Sequence, residues 1–351
     1  MITSHPGLPS YRVEEGLPIL RLPRPGQGRL LRRLYEPYLT HVPLSYAALR
    51  AGDYDLAHAV HPPDALAAAR WRRVTGRPAL LSYLGVPDHA GLLERRGRLE
   101  LIRSALRGCD AVVALSRYAA DAFERWLGYQ ARVIAPGVDV HAFKPAPSRC
   151  EHPTIVCAAD VAVPRKHVGL LVQAFGLIRG ELPDARLVLS RPRDLDAVRS
   201  AGVDLGAPGV QWAELDDRAT LGRAYGEAWV AVLPARDEAF GLVLAEALAC
   251  GTPVVGYDHG GIPEVIDRPG IGRLFDRLDA PTLAQAMLET IQLCTDPATA
   301  TQTAQRCRAR GLELSSDRCT ERYLELYREL GAHDGAAPCR AEPQRPRKRP
   351  H

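Results

Sequence analysis

Short apolar runs alternate along the chain with longer stretches whose apolar positions recur every three to four residues. In the first part the apolar runs predict strands at Leu17–Leu22, Leu56–Val60, Ala79–Tyr83, Ala111–Ala114 and Arg132–Ile134. The second part adds Thr154–Ala158, Arg186–Leu189, Val210–Ala213, Val230–Pro234 and Pro253–Tyr257. Most of these runs are continuous and not alternating, the pattern of strands covered on both faces, as in parallel sheets flanked by helices. Helical periodicity spans Val168–Arg179, Leu242–Ala249 and Ala284–Leu293, and Ser316–Leu330 reads as an amphipathic closing helix. The strand–helix alternation occurs on both sides of a Pro-rich polar stretch, His141–Pro153, and so predicts two doubly wound α/β domains. The expected units are residues 1–148 and 149–332, followed by a Pro/Arg-rich tail, 333–351, whose lack of large apolar residues predicts disorder.

Composition narrows the function. A length of 351 residues exceeds the usual single domain, and 46% hydrophobic with 25% charged residues suits a globular protein with a sizeable core. The net charge is +4, but the tail holds five Arg/Lys against two Asp/Glu, which leaves the body close to neutral. General nucleic-acid binding needs a stronger basic field, so no nucleic-acid partner is expected. Eight cysteines form no CxxC pair and no zinc spacing with the histidines, consistent with free thiols in a reducing compartment. The N-terminus lacks an apolar export core and no run of about 18 apolar residues occurs, so a cytoplasmic location is expected. Lysine is scarce (Lys144, Lys166 and Lys348, against 42 arginines), so each one stands out.

The candidate chemistry lies in ARDEAFGLVLAEALACGTPVVGYDHGGIPEVI, Ala235–Ile266. A loop leaves the predicted strand Val230–Pro234, and a helix begins after Gly241. Ligands of such sheets bind in the crevice beyond the strands' carboxyl ends, and a helix N-terminus there offers free N–H groups and partial positive charge to a phosphate. Glu238 lies in the loop and Glu246 more than one turn into the helix. Ionised carboxylates are pure acceptors, suited to the hydroxyls of a sugar. Phosphate and hydroxyl recognition together describe a nucleotide sugar. A second loop, His259–Glu264, leaves the next strand at the same edge, with Gly260 and Gly261 allowing close approach. Solvated helix-end charges with Gly241 as a simple cap are the plainer alternative. A glycosidase acid–nucleophile pair is disfavoured by the phosphate-binding surroundings.

The stretch resembles the donor-binding signature of family 4 glycosyltransferases, retaining enzymes of the GT-B fold. EAFGLVLAE, GTPVV and GGIPE follow that signature in order, and a looser similarity at PRKHVGLLVQAF, ALSRYAADAF and VIAPGVDVHAF extends it over most of the chain. The resemblance implies two Rossmann-like domains facing across a cleft. It implies that Lys166, with Arg165, binds the donor diphosphate, that Glu238 contacts the sugar and that Glu246 holds the ribose. The backbone around Phe240, Gly241, Leu242 and Val243 would cap the phosphates. The expected reaction moves a sugar from a nucleoside-diphosphate sugar to an acceptor hydroxyl, with no cofactor and no metal. The alternatives are a catalytically impaired donor-binding protein and, less well matched, a nucleotide-sugar 2-epimerase.

Three features depart from the pattern. The chain begins in a region resembling that beyond the family's first strand–loop–helix, so the N-terminal domain is expected to lack that unit. Leu84 stands where a histidine is often found, and His58, His61 and His89 are expected to be surface or structural residues. Asp160-Val161 replaces the usual Gly-Arg ahead of the basic loop. The arginine–leucine segments Gly28–Leu39 and Leu92–Arg107 fit peripheral contact with an anionic membrane as well as they fit solvated helix faces.

Overall fold

The computed structural model describes residues 1–331, except 6, 24–38, 193, 195, 197, 199–202 and 205. The N-terminal half runs β1 (Ile2–His5), β2 (Ser10–Glu14), β3 (Leu17–Pro23), α1 (Val42–Ala51), β4 (Ala57–Ala59), α2 (Pro62–Thr75), β5 (Ala79–Tyr83), α3 (His89–Leu93), α4 (Arg98–Gly108), β6 (Ala111–Ala114), α5 (Arg117–Leu127) and β7 (Arg132–Val133). Its main sheet is parallel, in the order β4-β5-β6-β7, and a separate sheet has the order β1-β3-β2. The predicted tail and most of Gly28–Leu39 lie outside the described residues.

The C-terminal half runs β8 (Thr154–Cys157), α6 (Val168–Glu181), β9 (Arg186–Ser190), β10 (Val210–Ala213), α7 (Arg218–Glu227), β11 (Val230–Leu233), α8 (Leu242–Ala249), β12 (Val254–Tyr257), α9 (Ile262–Val265), β13 (Gly272–Phe275), α10 (Ala280–Gln292), α11 (Pro297–Glu313) and α12 (Ser316–Glu329). Its six strands are all parallel, in the order β10-β9-β8-β11-β12-β13. Every residue of β8 and of β11 is buried, as their unbroken apolar runs require. From β8 the chain winds outward through β9 to β10, then returns to place β11 on β8's other side. The strand order therefore reverses between β8 and β11, and the loops leaving these two strands diverge from one crevice.

The halves are tied together behind that crevice. Val138 N–H donates to Leu314 O and Ser316 N–H to Val138 O, each at 2.8 Å, which aims α12 back onto the N-terminal sheet. Leu326 of α12 is buried with Leu80, Val113 and Ile134. Beside this contact His58 bonds Tyr327 Oη and Ser82 Oγ, both at 2.7 Å, and Ser82 bonds Tyr323 Oη at 2.8 Å. Burial pushes the His58 imidazole down to about 4, so it is neutral and structural.

Three strands escape the apolar-run pattern. β2 and β3 form an antiparallel hairpin turning at Glu15-Gly16, both with positive φ, and four of the five β2 residues are exposed. The short β1 carries polar residues, and the edge strand β13 exposes Arg273. β1 and β4 are each the edge of their own sheet, and among the described residues no strand joins them. Their open edges line a cavity of about 530 Å³, with Met1–Ser4 on one side and Leu56–His61 on the other. The segment Leu92–Arg107 turns its apolar side inward: Leu92, Ile102 and Leu106 are buried, while Arg96, Arg103 and Arg107 face outward.

Candidate functional site

The site is assembled at the strand-order reversal. The loop after β8 ends in a tight helical turn, Pro164–Lys166, closed by His167 in the left-handed region at φ 49°. The loop after β11 carries Arg236, Asp237 and Glu238, with Asp237 at φ 53°. Arg236 N–H donates to Arg165 O at 2.9 Å, so the two loops are joined by their backbones. Lys166 Nζ then lies 2.6 Å from Glu238 Oε2, and Arg165 Nη1 2.9 Å from the same oxygen. The Lys166 and Glu238 side chains are only 15% and 17% exposed, whereas Arg165 is half exposed. One carboxylate thus faces two cations, an arrangement with net positive charge and strong charge-assisted bonds.

Gly260 and Gly261 also shape this loop. They are packed against the loop: a Cβ on Gly260, where φ is +71°, would meet Glu238 O at 2.6 Å, and one on Gly261 would meet Ala239 O at 2.5 Å. Gly261 N–H donates to Glu238 O at 2.8 Å. The glycines hold the peptide of Glu238 in place.

Phe240 is buried, and Gly241, at φ 100°, opens α8 without any side-chain cap. The N–H groups of Leu242 and Val243 at this first turn suit an anion. Glu246 sits farther along α8 in a different environment. Burial raises its carboxyl to about 7, opposed by the charge of Arg218, and the buried Tyr225 phenol is raised in turn by burial and by Glu246. The two glutamates therefore have separate neighbourhoods, one ion-paired and one desolvated.

Glu264, the third glutamate of the stretch, turns to the other half. Its two carboxylate oxygens accept from Arg117 N–H and Tyr118 N–H, each at 3.1 Å. Those are the first residues of α5, whose N-cap Ser116 accepts from Ala119 N–H. Tyr118 also donates to Asp237 Oδ1 at 3.2 Å and packs edge-on against His259, 5.4 Å between ring centroids. Tyr118, Asp237 and His259 were missed by sequence reasoning, because Tyr118 is more than a hundred residues from the loop it touches and no local spacing announces the contact. His89 is exposed and packs beside Trp126, and His61 is exposed.

Comparison with known proteins agrees with this architecture. Residues 2–142 match the family described as Glycosyltransferase Family 4, and residues 152–292 match Glycosyl transferases group 1. The phosphatidyl-myo-inositol mannosyltransferase of Mycolicibacterium smegmatis is 29% identical over 299 residues, 82% of this chain and 74% of that protein. A D-inositol 3-phosphate glycosyltransferase of Jonesia denitrificans is 33% identical over 163 residues, 40% of this chain and 38% of the relative. Sucrose-phosphate synthase from Thermosynechococcus elongatus superposes with a TM-score of 0.72 at 24% identity, covering 91% of this chain and 84% of that one. Anabaena HepE in complex with UDP and glucose gives 0.70 at 18% identity, covering 91% and 87%. Taken with the two parallel sheets and the reversal between β8 and β11, these matches establish that the chain belongs to glycosyltransferase family 4, transferases of the GT-B fold.

Proposed function

We propose that the crevice between β8 and β11 binds a nucleoside-diphosphate sugar and that the chain transfers the sugar, with retention of configuration, to an acceptor hydroxyl. The observation that carries this reading is the convergence of Lys166 and Arg165 on Glu238 beside the uncapped start of α8. Lys166, Arg165 and the N–H groups of Leu242 and Val243 hold the diphosphate, with Gly241 allowing its approach. Glu246 accepts from the ribose hydroxyls and Glu238 from the sugar. As the sugar–phosphate bond breaks, negative charge accumulates on the leaving diphosphate, and fixed cations aimed there stabilise the transition state more than the ground state. This assigns the charge-stabilising role to protein groups, with no metal or cofactor in the proposal. Removing Lys166 costs on the order of a hundredfold in rate, the scale of one lost oxyanion donor.

We extend this to an inositol-bearing acceptor at an anionic membrane; the relatives that cover over four fifths of the chain include phosphatidyl-myo-inositol mannosyltransferases. Peripheral membrane contact forms part of this proposal and rests on the outward Arg96, Arg103 and Arg107. The test is calorimetric binding of GDP and UDP to the chain and to Lys166→Ala, then transfer from GDP-mannose or UDP-glucose to phosphatidylinositol vesicles. Nucleotide binding that is lost in the variant supports the donor site. Equal binding by both proteins refutes it.

A further inference from the structure

We propose that Glu238 occupies the diphosphate-binding cations whenever no donor is present, and that this competition makes the site prefer a sugar-bearing nucleotide over the free nucleoside diphosphate. The inference rests on the donor-site reading above and adds a selection and release device to it.

The geometry carries it. Both cations converge on a single oxygen, Glu238 Oε2, at 2.6 and 2.9 Å, so the carboxylate stands where an anionic ligand would otherwise meet them. Side-chain drift does not explain the pairing. Arg236 N–H to Arg165 O fixes the spacing of the two loops at 2.9 Å, and Gly261 N–H to Glu238 O fixes the glutamate's peptide at 2.8 Å. Gly260 and Gly261 press against the same backbone, and Asp237 N–H is held by His259 Nδ1 at 3.3 Å. The peptide of Glu238 is therefore held, and its carboxylate remains within reach of the cations.

A diphosphate must take Lys166 and Arg165 from this carboxylate. What happens next depends on what the diphosphate carries. A sugar brings hydroxyl donors that replace the lost bonds to Glu238, so the acceptor is satisfied again. A free nucleoside diphosphate brings none, and leaves an ionised carboxylate beside like charge. The same exchange runs in reverse after transfer: once the sugar has left with the acceptor, Glu238 reclaims the cations and favours departure of the nucleoside diphosphate. Glu246 takes no part in this, because its neighbours are Arg218 and Tyr225.

Calorimetry on the full chain tests the idea, with GDP, UDP, GDP-mannose, UDP-glucose and inorganic diphosphate as probes against Glu238→Gln and Lys166→Ala. Glu238→Gln is expected to bind the preferred free nucleotide on the order of tenfold more tightly, about 1.4 kcal/mol, while its preference for the sugar-bearing form shrinks. Inorganic diphosphate should gain in the same direction. Glu238→Asp, which withdraws the charge by one methylene, is expected to fall between, and serves if the Gln variant does not fold. Free nucleotide bound no more tightly by Glu238→Gln, while Lys166→Ala still weakens it, overturns the competition and leaves the donor site standing. Unchanged nucleotide binding in Lys166→Ala overturns the donor site and the competition together.

Discussion

Replacing Glu246 with Gln separates what the fold prefers from what the site needs. Burial raises the Glu246 carboxyl from 4.5 to about 7. At 1.36 kcal/mol per pH unit, that is a preference of about 3 kcal/mol for the neutral acid in the folded state, trimmed to about 2–3 kcal/mol by the remaining solvent contact. Between pH 4.5 and 7 the folded protein holds this proton more tightly than the unfolded chain does. Stability therefore falls as pH rises through that window and levels off above it. Gln has the same shape and no charge, so Glu246→Gln should match the parent near pH 4.5, lack this slope, and be more stable by about 2–3 kcal/mol at pH 8. Urea denaturation at pH 5, 6, 7 and 8, followed by the fluorescence of Trp212 and Trp229 in the C-terminal half, reads the difference. Parallel pH profiles for parent and variant, or a variant less stable at pH 8, would refute the reasoning. If Glu246 holds the ribose as proposed, the ribose hydroxyls donate best to its ionised form, so nucleotide binding should tighten from pH 6 to 8 in the parent and lose that dependence in the variant.

Gly261→Ala is expected to weaken binding of the sugar-bearing nucleotide on the order of tenfold with unchanged far-ultraviolet circular dichroism, because the added methyl meets Ala239 O and Phe240 Cα, at 2.5 and 2.7 Å, and must displace the segment joining Glu238 to the start of α8. Calorimetry beside the spectrum checks it. Glu264→Ala should cost about 1 kcal/mol by taking the acceptors from two N–H groups at the start of α5. It should also speed tryptic cleavage between the halves, read by gel over time. Tyr327→Phe leaves His58 Nδ1 short of a partner and should cost about 1–3 kcal/mol in a thermal melt.

How much of this was legible in the sequence depended on whether the information was local. The strands Ala79–Tyr83 and Ala111–Ala114 have the ends their apolar runs predict, since burial on both faces leaves an unbroken pattern. The edge strand Val210–Ala213, with Gln211 exposed, and the helix Leu242–Ala249 also keep their predicted ends. The hairpin strand β2 was invisible to that test, because its side chains face solvent and its residues are mostly polar. At the site, spacing placed Glu238 ahead of α8 and Glu246 within it, and the tight turn put Lys166 on a loop of the same sheet edge. Spacing alone could not give their pairing. Glu238 meets Lys166 72 residues away because β8 and β11 are neighbours, which is a property of strand order. The glycine pair was read as room for a ligand; its close packing against the peptides of Glu238 and Ala239 depends on tertiary structure and was not legible.

The contacts between the halves converge on that same peptide. Tyr118, from the N-terminal half, donates to Asp237, and Asp237 immediately precedes Glu238. Glu264 reaches back to cap the helix that carries Tyr118, and it follows by three residues the glycine whose N–H holds Glu238 O. A rotation of one half against the other would therefore stretch the Tyr118–Asp237 and Glu264–α5 bonds before it disturbed either core. α12 holds the halves together on the far side through Leu326, Tyr323 and Tyr327, so a hinge opening at the crevice would leave that contact in place. Opening would pull first on Asp237, whose left-handed backbone and bond to His259 set the position of Glu238. The loop that carries Glu238 is thus also one on which the two halves meet, so opening or closing the crevice would act directly on the position of Glu238.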